Sequence, residues 1–200
     1  MAYTMLHISG QAAQSPAILS LKEFQLKNGI GPWMTRVRIV RMWHELDFMR
    51  TDDVTSLDLL LLDDDDDMIH AIVQKNYIWK FEPLLEEGIL LGLTNLTFAP
   101  EKKMFRPCQN DYRAYFNWNT DVTPLESTTA PIPRHKFFFK EFEALVADAT
   151  NTYLTDVVGL LTSYTNLQQV KRSSGDVAFM RELTLDNIRY LLRLEVQDPT

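Results

Sequence analysis

Cysteine is nearly absent from this chain of 200 residues: Cys108 stands alone. That excludes an internal disulfide framework and a zinc site built from several cysteines, and it points to a reducing compartment. No stretch approaches about 18 uninterrupted apolar residues, and Met1 to Ser15 lacks a basic start followed by an apolar run, so neither a membrane span nor a secretory signal is expected. Signatures of nucleotide and metal chemistry are missing as well. There is no Gly-x-Gly-x-x-Gly, no phosphate-loop Gly-Lys-Ser/Thr and no His-Glu-x-x-His, and His7, His44, His70 and His135 lie scattered without ligand spacing. A soluble intracellular protein without catalysis, cofactor or bound metal is the expectation.

What is present is an ordinary globular composition, 46% hydrophobic, 24% charged and 11% aromatic. This excludes disorder over the whole length, collagen-like and coiled-coil organisation. The length corresponds to one large domain or one and a half small ones. A net charge of −7 argues against a nonspecific basic coat for nucleic acid, but it does not exclude a local basic groove. From Met1 to Arg50 the chain carries Lys22, Lys27, Arg36, Arg38, Arg41 and Arg50 against Glu23, Glu45 and Asp47. Asp52, Asp53, Asp58 and the run Asp63 to Asp67 reverse the sign, and Lys102, Lys103 and Arg106 restore it. The successive carboxylates Asp63 to Asp67 lack the alternating ligand positions and glycine turn of a calcium loop. They are read as a solvated hairpin tip that keeps a polyanion away from that end of the molecule.

Residues 1–32 carry weak patterning and read as an arm, with a turn of helix at Leu21 to Leu26 ended by Gly29-Ile30-Gly31-Pro32. Thr35 to Trp43 alternates apolar and basic residues, the period of a strand with one face on a core. Ser56 to Asp63 and Met68 to Val73 are apolar runs too short for helices, read as two strands joined by the acidic hairpin. Ile78, Phe81, Leu84 and Leu85 fall at helical spacing before Gly88, giving one short helix. Ile89 to Phe98 and Tyr112 to Trp118 supply two more strands around a loop, Pro100 to Pro107. The order β-β-β-α-β-β is that of the OB-fold, a small five-stranded Greek-key barrel whose face and loops bind oligonucleotides or oligosaccharides.

Asp121 to Arg134, rich in proline, threonine and serine, marks a linker; residues 33–126 are assigned to the barrel, 127–136 to the linker and 137–200 to a truncated second OB-like segment. There, Phe137 to Val146 reads as a short helix or docking segment, Tyr153 to Tyr164 as a buried strand and Val177 to Leu185 as another strand. Leu183 to Val196 fits a strand or a helix equally. The fold class is thus mainly β: one barrel with a short helix plus a partial second unit.

Single-stranded nucleic acid is held by cations that follow the phosphates and by rings on which bases stack. Arg36, Arg38 and Arg41 on the first strand, Arg50, and the tip Lys102-Lys103-Met104-Phe105-Arg106 provide both ingredients. Phe105 is either a stacking platform or a loop anchor. Trp43 is either a base-contacting ring or a core plug, Trp79 and Trp118 are expected in core or barrel-edge packing, and Trp33 at the barrel mouth.

Four segments in order, Trp33-x-x-Arg-Val-Arg-Ile-Val-Arg-Met-Trp43, Ile69-His-Ala-Ile-Val73, Phe81-Glu-Pro-Leu-Leu-Glu-Glu-Gly88 and Asn110-Asp-Tyr-Arg-Ala-Tyr-Phe-Asn-Trp-Asn-Thr-Asp-Val-Thr-Pro124, resemble the DNA-binding OB domains of the large subunit of replication protein A, especially the plant replication-factor-A-like proteins. The resemblance covers Trp33 to Glu126, and Tyr153 to Leu161 is similar to the opening strand of that family's second barrel. It implies single-stranded DNA binding in nuclear DNA replication, repair and recombination, with bases stacked on two rings. Phe105 matches one ring; the other falls on Gln74, which cannot stack. His70 matches a position that often carries a cation, and Lys75 follows the missing ring. The nucleic-acid-binding residues expected are Arg38, Arg41, Trp43, His70, Lys75, Lys102, Lys103, Phe105 and Arg106. Partners expected are single-stranded DNA or RNA, and protein subunits or a second copy through the C-terminal segment. The alternative is a protein-interaction or oligomerisation module that keeps the OB-fold with little DNA binding.

Overall fold

A computed structural model describes residues 16–47, 53–126, 131–147, 152–171, 177–186 and 191–198; Met1 to Ser15 of the expected arm and Arg50 lie outside them. The rest of the arm is not loose. Strand β1 (Ala17–Leu19) pairs in parallel with β2 (Trp33–Leu46). Helix α1 (Leu21–Leu26) is fixed at its start by a reciprocal Ser20/Glu23 capping box, and it buries Leu21 and Phe24 in the barrel core. Gly29, with φ +63, follows the helix where a Cβ would run into the carbonyl of Leu96.

The alternation of β2 works as expected: Val37 and Ile39 are fully buried. An irregularity between Ile39 and Arg41 then inserts Val40 and resets the phase, so that Arg41, Trp43 and Glu45 stand opposite Leu60, Asp58 and Ser56 of β3 (Val54–Leu62). Leu57, Leu59 and Leu61 face the core, as do Ile69, Ala71 and Val73 of β4 (Met68–Gln74). The short helix appears as α2 (Ile78–Phe81) between two 3₁₀ turns, Lys75–Tyr77 and Glu82–Leu84. Its Phe81 plugs the barrel edge-to-face with Phe116, centroids 5.1 Å apart.

The remaining wall is one long, interrupted hairpin. β5 (Leu90–Thr94) continues as β6 (Thr97–Pro100) past Asn95, which takes φ +55 and accepts hydrogen bonds at its carbonyl from Asn117 and Thr120. β7 (Tyr112–Tyr115) continues likewise as β8 (Asp121–Leu125). The strand order is β6-β7-β4-β3-β2-β5-β8, with β4 and β7 parallel. Both ends of that order belong to the one hairpin, so the sheet curls back on itself as the expected OB-fold.

The linker therefore does not begin at Asp121. β8 pairs along its length with β5, and Pro124 is accommodated because β8 ends the sheet order. Beyond residues 127–130, which lie outside the described residues, Ile132 is buried with Val40, Leu62, Met68, Leu90 and Cys108. This second cluster covers one end of the outer face of the sheet.

The C-terminal segment forms α3 (Phe142–Ala147) and a separate four-stranded sheet. β11 (Val177–Asp186) lies at its centre, with β12 (Leu191–Asp198) on one side and β10 (Gln168–Lys171) and β9 (Leu160–Tyr164) on the other. Leu183 to Asp186 and Leu191 to Val196 belong to strands. The expected buried strand Tyr153 to Tyr164 is not one. Tyr153 and Asp156 form isolated bridges to Arg106 and Phe139, and β9 is exposed along its whole length, pairing among the described residues with β11 alone.

Candidate nucleic-acid interface

Alternation puts one set of side chains on the outer face of the barrel: Arg41, Trp43 and Glu45 on β2, Ser56, Asp58 and Leu60 on β3, and His70, Ile72 and Gln74 on β4. A groove of about 420 Å³ opens there, lined by Trp43, Glu45, Asp58, His70, Lys102, Phe105, Pro107 and Leu154. Phe105 is 53% exposed and takes φ +56, a backbone conformation that ring-bearing residues rarely adopt. The conformation is enforced by its neighbour. Arg106 donates from Nε to the Lys102 carbonyl (2.6 Å) and from Nη1 to Asp111 (2.9 Å), and its backbone bridges Thr152 and Leu154. Asp111 holds the Arg106 guanidinium above its ordinary pKa, a permanent charge in any case. Lys102 and Lys103 are exposed on the same loop.

His70 is not a surface cation. It is 3% exposed, with Nε2 2.8 Å from Asp58 Oδ2 and Nδ1 3.0 Å from Glu101 Oε2. Both ring nitrogens therefore face carboxylate oxygens, and the ring is clamped between β3 and the start of the Phe105 loop. Asp58 also accepts from the Ser56 hydroxyl, and Glu101 from the Lys102 backbone N–H. Trp43 stacks on His70, planes 13° apart, and donates from its indole nitrogen to Glu45. Trp43 is therefore neither a core plug nor free: it is a half-buried ring over the buried His70. The barrel's core is sealed by Phe24, Phe81 and Phe116 instead.

The other expected residues separate. Arg41 is exposed, with its guanidinium 5.2 Å from the Phe137 ring centroid. Arg38 gives two of its donors to the Gly88 and Ile132 carbonyls (2.6 and 2.9 Å), tying the 131–134 segment to the barrel; that tie places it away from the groove. Lys75 is exposed at the end of β4 and lies 3.6 Å from Asp53. Two further expectations change. Trp79 and Trp118 are 66% and 60% exposed, stacked obliquely 6.5 Å apart with Lys80 over the Trp118 ring. The acidic tip is not merely solvated: Asp64, Asp66 and Asp67 pair with Arg36, Lys136 and Lys22. Asp63 is buried and accepts from the backbone N–H groups of Leu21, Asp65 and Asp67. Burial pushes the Asp63 carboxyl above its usual range, although those N–H groups pull it back. Trp33 packs at the barrel's rim under Lys27, as expected.

Two residues of this face were missed. Arg113 and Tyr115 on β7 stand beside His70 and Ile72 of β4, while Ala114 between them is buried. The pattern Arg-Ala-Tyr inside the Tyr112 to Trp118 run carried that signal, a small core residue flanked by two outward ones.

The family model described as Domain of unknown function DUF223 matches residues 24–148. The chain belongs to this family. Among curated proteins it is similar to Replication factor A protein 1 of fission yeast, 26% identical over 175 residues, covering 84% of this chain and 28% of that protein. It is also similar to one of the Replication protein A 70 kDa DNA-binding subunits of Arabidopsis thaliana, 23% identical over 84% of this chain and 26% of the relative. The zebrafish Replication protein A 70 kDa DNA-binding subunit is 25% identical over 91% of this chain and 28% of its own length. The chain thus spans little more than a quarter of these relatives. A solved structure of a replication protein A heterotrimer bound to single-stranded DNA superposes with a TM-score of 0.55 at 25% identity, covering 83% of this chain and 38% of that one. The resemblance to the large-subunit OB domains of replication protein A holds.

Proposed function

We propose that this protein binds single-stranded DNA, without catalysing a reaction, by laying the strand across β2, β4 and the Phe105 loop. The observation that carries this is the groove itself. It holds an exposed ring on a loop tied down through Arg106, a second ring stacked on the buried His70, and Lys102 with Arg41 nearby, on the outer face of a barrel of the replication protein A type. Phe105 and Trp43 offer π faces, while Lys102, Lys103 and Arg41 meet phosphates. Lys75 extends the track past Gln74. His70 contributes from below by supporting Trp43, Arg106 by fixing the loop, and Arg38 by holding the segment that borders the face.

The names of the relatives, replication proteins and DNA-binding subunits, support action in DNA replication with partner subunits; a nuclear location and a role in repair or recombination are part of the same proposal. The exposed strand β9 and the exposed rings Phe137 and Phe139 are surfaces such a subunit or a second copy would cover. The test is fluorescence anisotropy of labelled oligothymidine at two salt concentrations. Salt-sensitive binding that falls with Phe105→Ala supports the proposal; no binding at low salt overturns it.

A further inference from the structure

We propose that Tyr115, braced by Arg113, is a further base-stacking ring of this face; the inference rests on the single-stranded DNA binding just proposed. The parallel register His70↔Arg113, Ala71↔Ala114, Ile72↔Tyr115 fixes the direction of all three β7 side chains. Residues paired across a sheet point to the same side. Ala71 and Ala114 are fully buried in the core, so Arg113 and Tyr115 emerge on the outer face with His70 and Ile72. Trp43, Asp58, Ile72 and Tyr115 form one row across β2, β3, β4 and β7. Three strand spacings, roughly 14 Å, separate the first ring from the last.

Tyr115 is half-buried. The Arg113 guanidinium carbon lies 5.4 Å from its ring centroid, a cation–π contact that fixes the ring's position without covering it with another apolar side chain. Arg113 itself is incompletely neutralised. Its one ion pair among the described residues is a long 3.8 Å approach to Glu101, a carboxylate already engaged by His70 and by the Lys102 backbone. Its Nε finds no hydrogen-bond acceptor among the described residues. Gln74 offers no ring at the end of β4, and Tyr115 stands one strand over and one step back from it, so a base passing Gln74 still finds an aromatic surface.

Tyr115→Ala, Tyr115→Phe and Phe105→Ala are compared with the unaltered protein by anisotropy on oligothymidine, and a 5-iododeoxyuridine oligonucleotide is photocrosslinked to the unaltered protein. Tyr115→Ala is expected to weaken binding about five- to a hundredfold, the range for loss of one stacked base, and Tyr115→Phe to stay within about twofold of the original. A crosslink at Tyr115 supports the assignment even if the alanine variant does not fold. If Phe105→Ala weakens binding but Tyr115→Ala is folded and within twofold of the original, or if crosslinks spare β7, Tyr115 is overturned while the binding face stands. If the unaltered protein binds no oligonucleotide, it is the proposed function that fails.

Discussion

Trp43 lies flat over His70, ring centroids 5.9 Å apart, and His70 in turn is clamped between Asp58 and Glu101. The groove therefore has a floor braced from beneath by buried polar groups. That stacking, together with the hydrogen bond from the Trp43 indole to Glu45, holds the ring in place over the clamp. The cost is a buried ionic cluster that must stay complete, since each carboxylate without the histidine would be an uncompensated buried charge.

Removal of that histidine should be felt first as stability. His70→Leu leaves Asp58 and Glu101 facing an apolar side chain, and a loss of about 3–5 kcal/mol is expected. Urea unfolding measures it; a midpoint unchanged from the original protein would show that the clamp carries no weight.

The Trp43–His70 and Trp79–Trp118 ring pairs should behave differently. Trp43→Ala is expected to weaken oligonucleotide binding by about 1–3 kcal/mol. Trp79→Ala, on α2 away from the groove, should leave affinity within about 0.5 kcal/mol. Calorimetric titration of both variants decides between them, and equal losses would place the strand elsewhere on the barrel.

Lys102 and Lys103 should set the salt dependence. Each phosphate contact to single-stranded DNA contributes a log-log slope of about −0.7. Lys102→Ala with Lys103→Ala should therefore flatten the slope by about 1.4 while the fold is retained. An unchanged slope would mean that these side chains meet no phosphate.

Cys108 gives a pH signature. Burial pushes its thiol from 9.0 up to about 11. Between those values the unfolded chain has released a proton that the folded chain still holds, so stability falls as pH rises through that window and is unaffected below it. Relative to Cys108→Ala, the unaltered protein should lose about 2 kcal/mol between pH 8 and pH 11. In the folded state at pH 8 the thiol should resist alkylation; rapid labelling would contradict its burial.

Much of the barrel was legible because its period is simple. The alternation from Thr35, the apolar runs of β3 and β4, and helical spacing at Ile78, Phe81 and Leu85 each reflect one buried face. β8 was not legible: its composition, with Pro124 among threonines, is that of a linker, and only its pairing with β5 makes it a strand. β9 misled in the opposite sense, since an apolar run reports a preference for burial and not a partner to provide it. In the site, Phe105 stood out because prolines and lysines flank it. His70 did not, because its two carboxylates lie 12 and 31 residues away and are brought to it by the β3–β4 register and the start of the Phe105 loop. Val40 explains the remaining difficulty: one extra residue in β2 decides which side of the sheet Trp43 takes.

The placement of the strand is tested most directly by mapping backbone amide NMR shifts on titration with a short oligothymidine. Expected are perturbations concentrated on Arg41 to Glu45, His70 to Lys75, Lys102 to Arg106 and Arg113 to Tyr115, with Trp79 and Trp118 unmoved. Perturbations confined to α2 and the Trp79–Trp118 surface, or none at all at saturating oligonucleotide, would contradict a binding face on the outer side of this sheet.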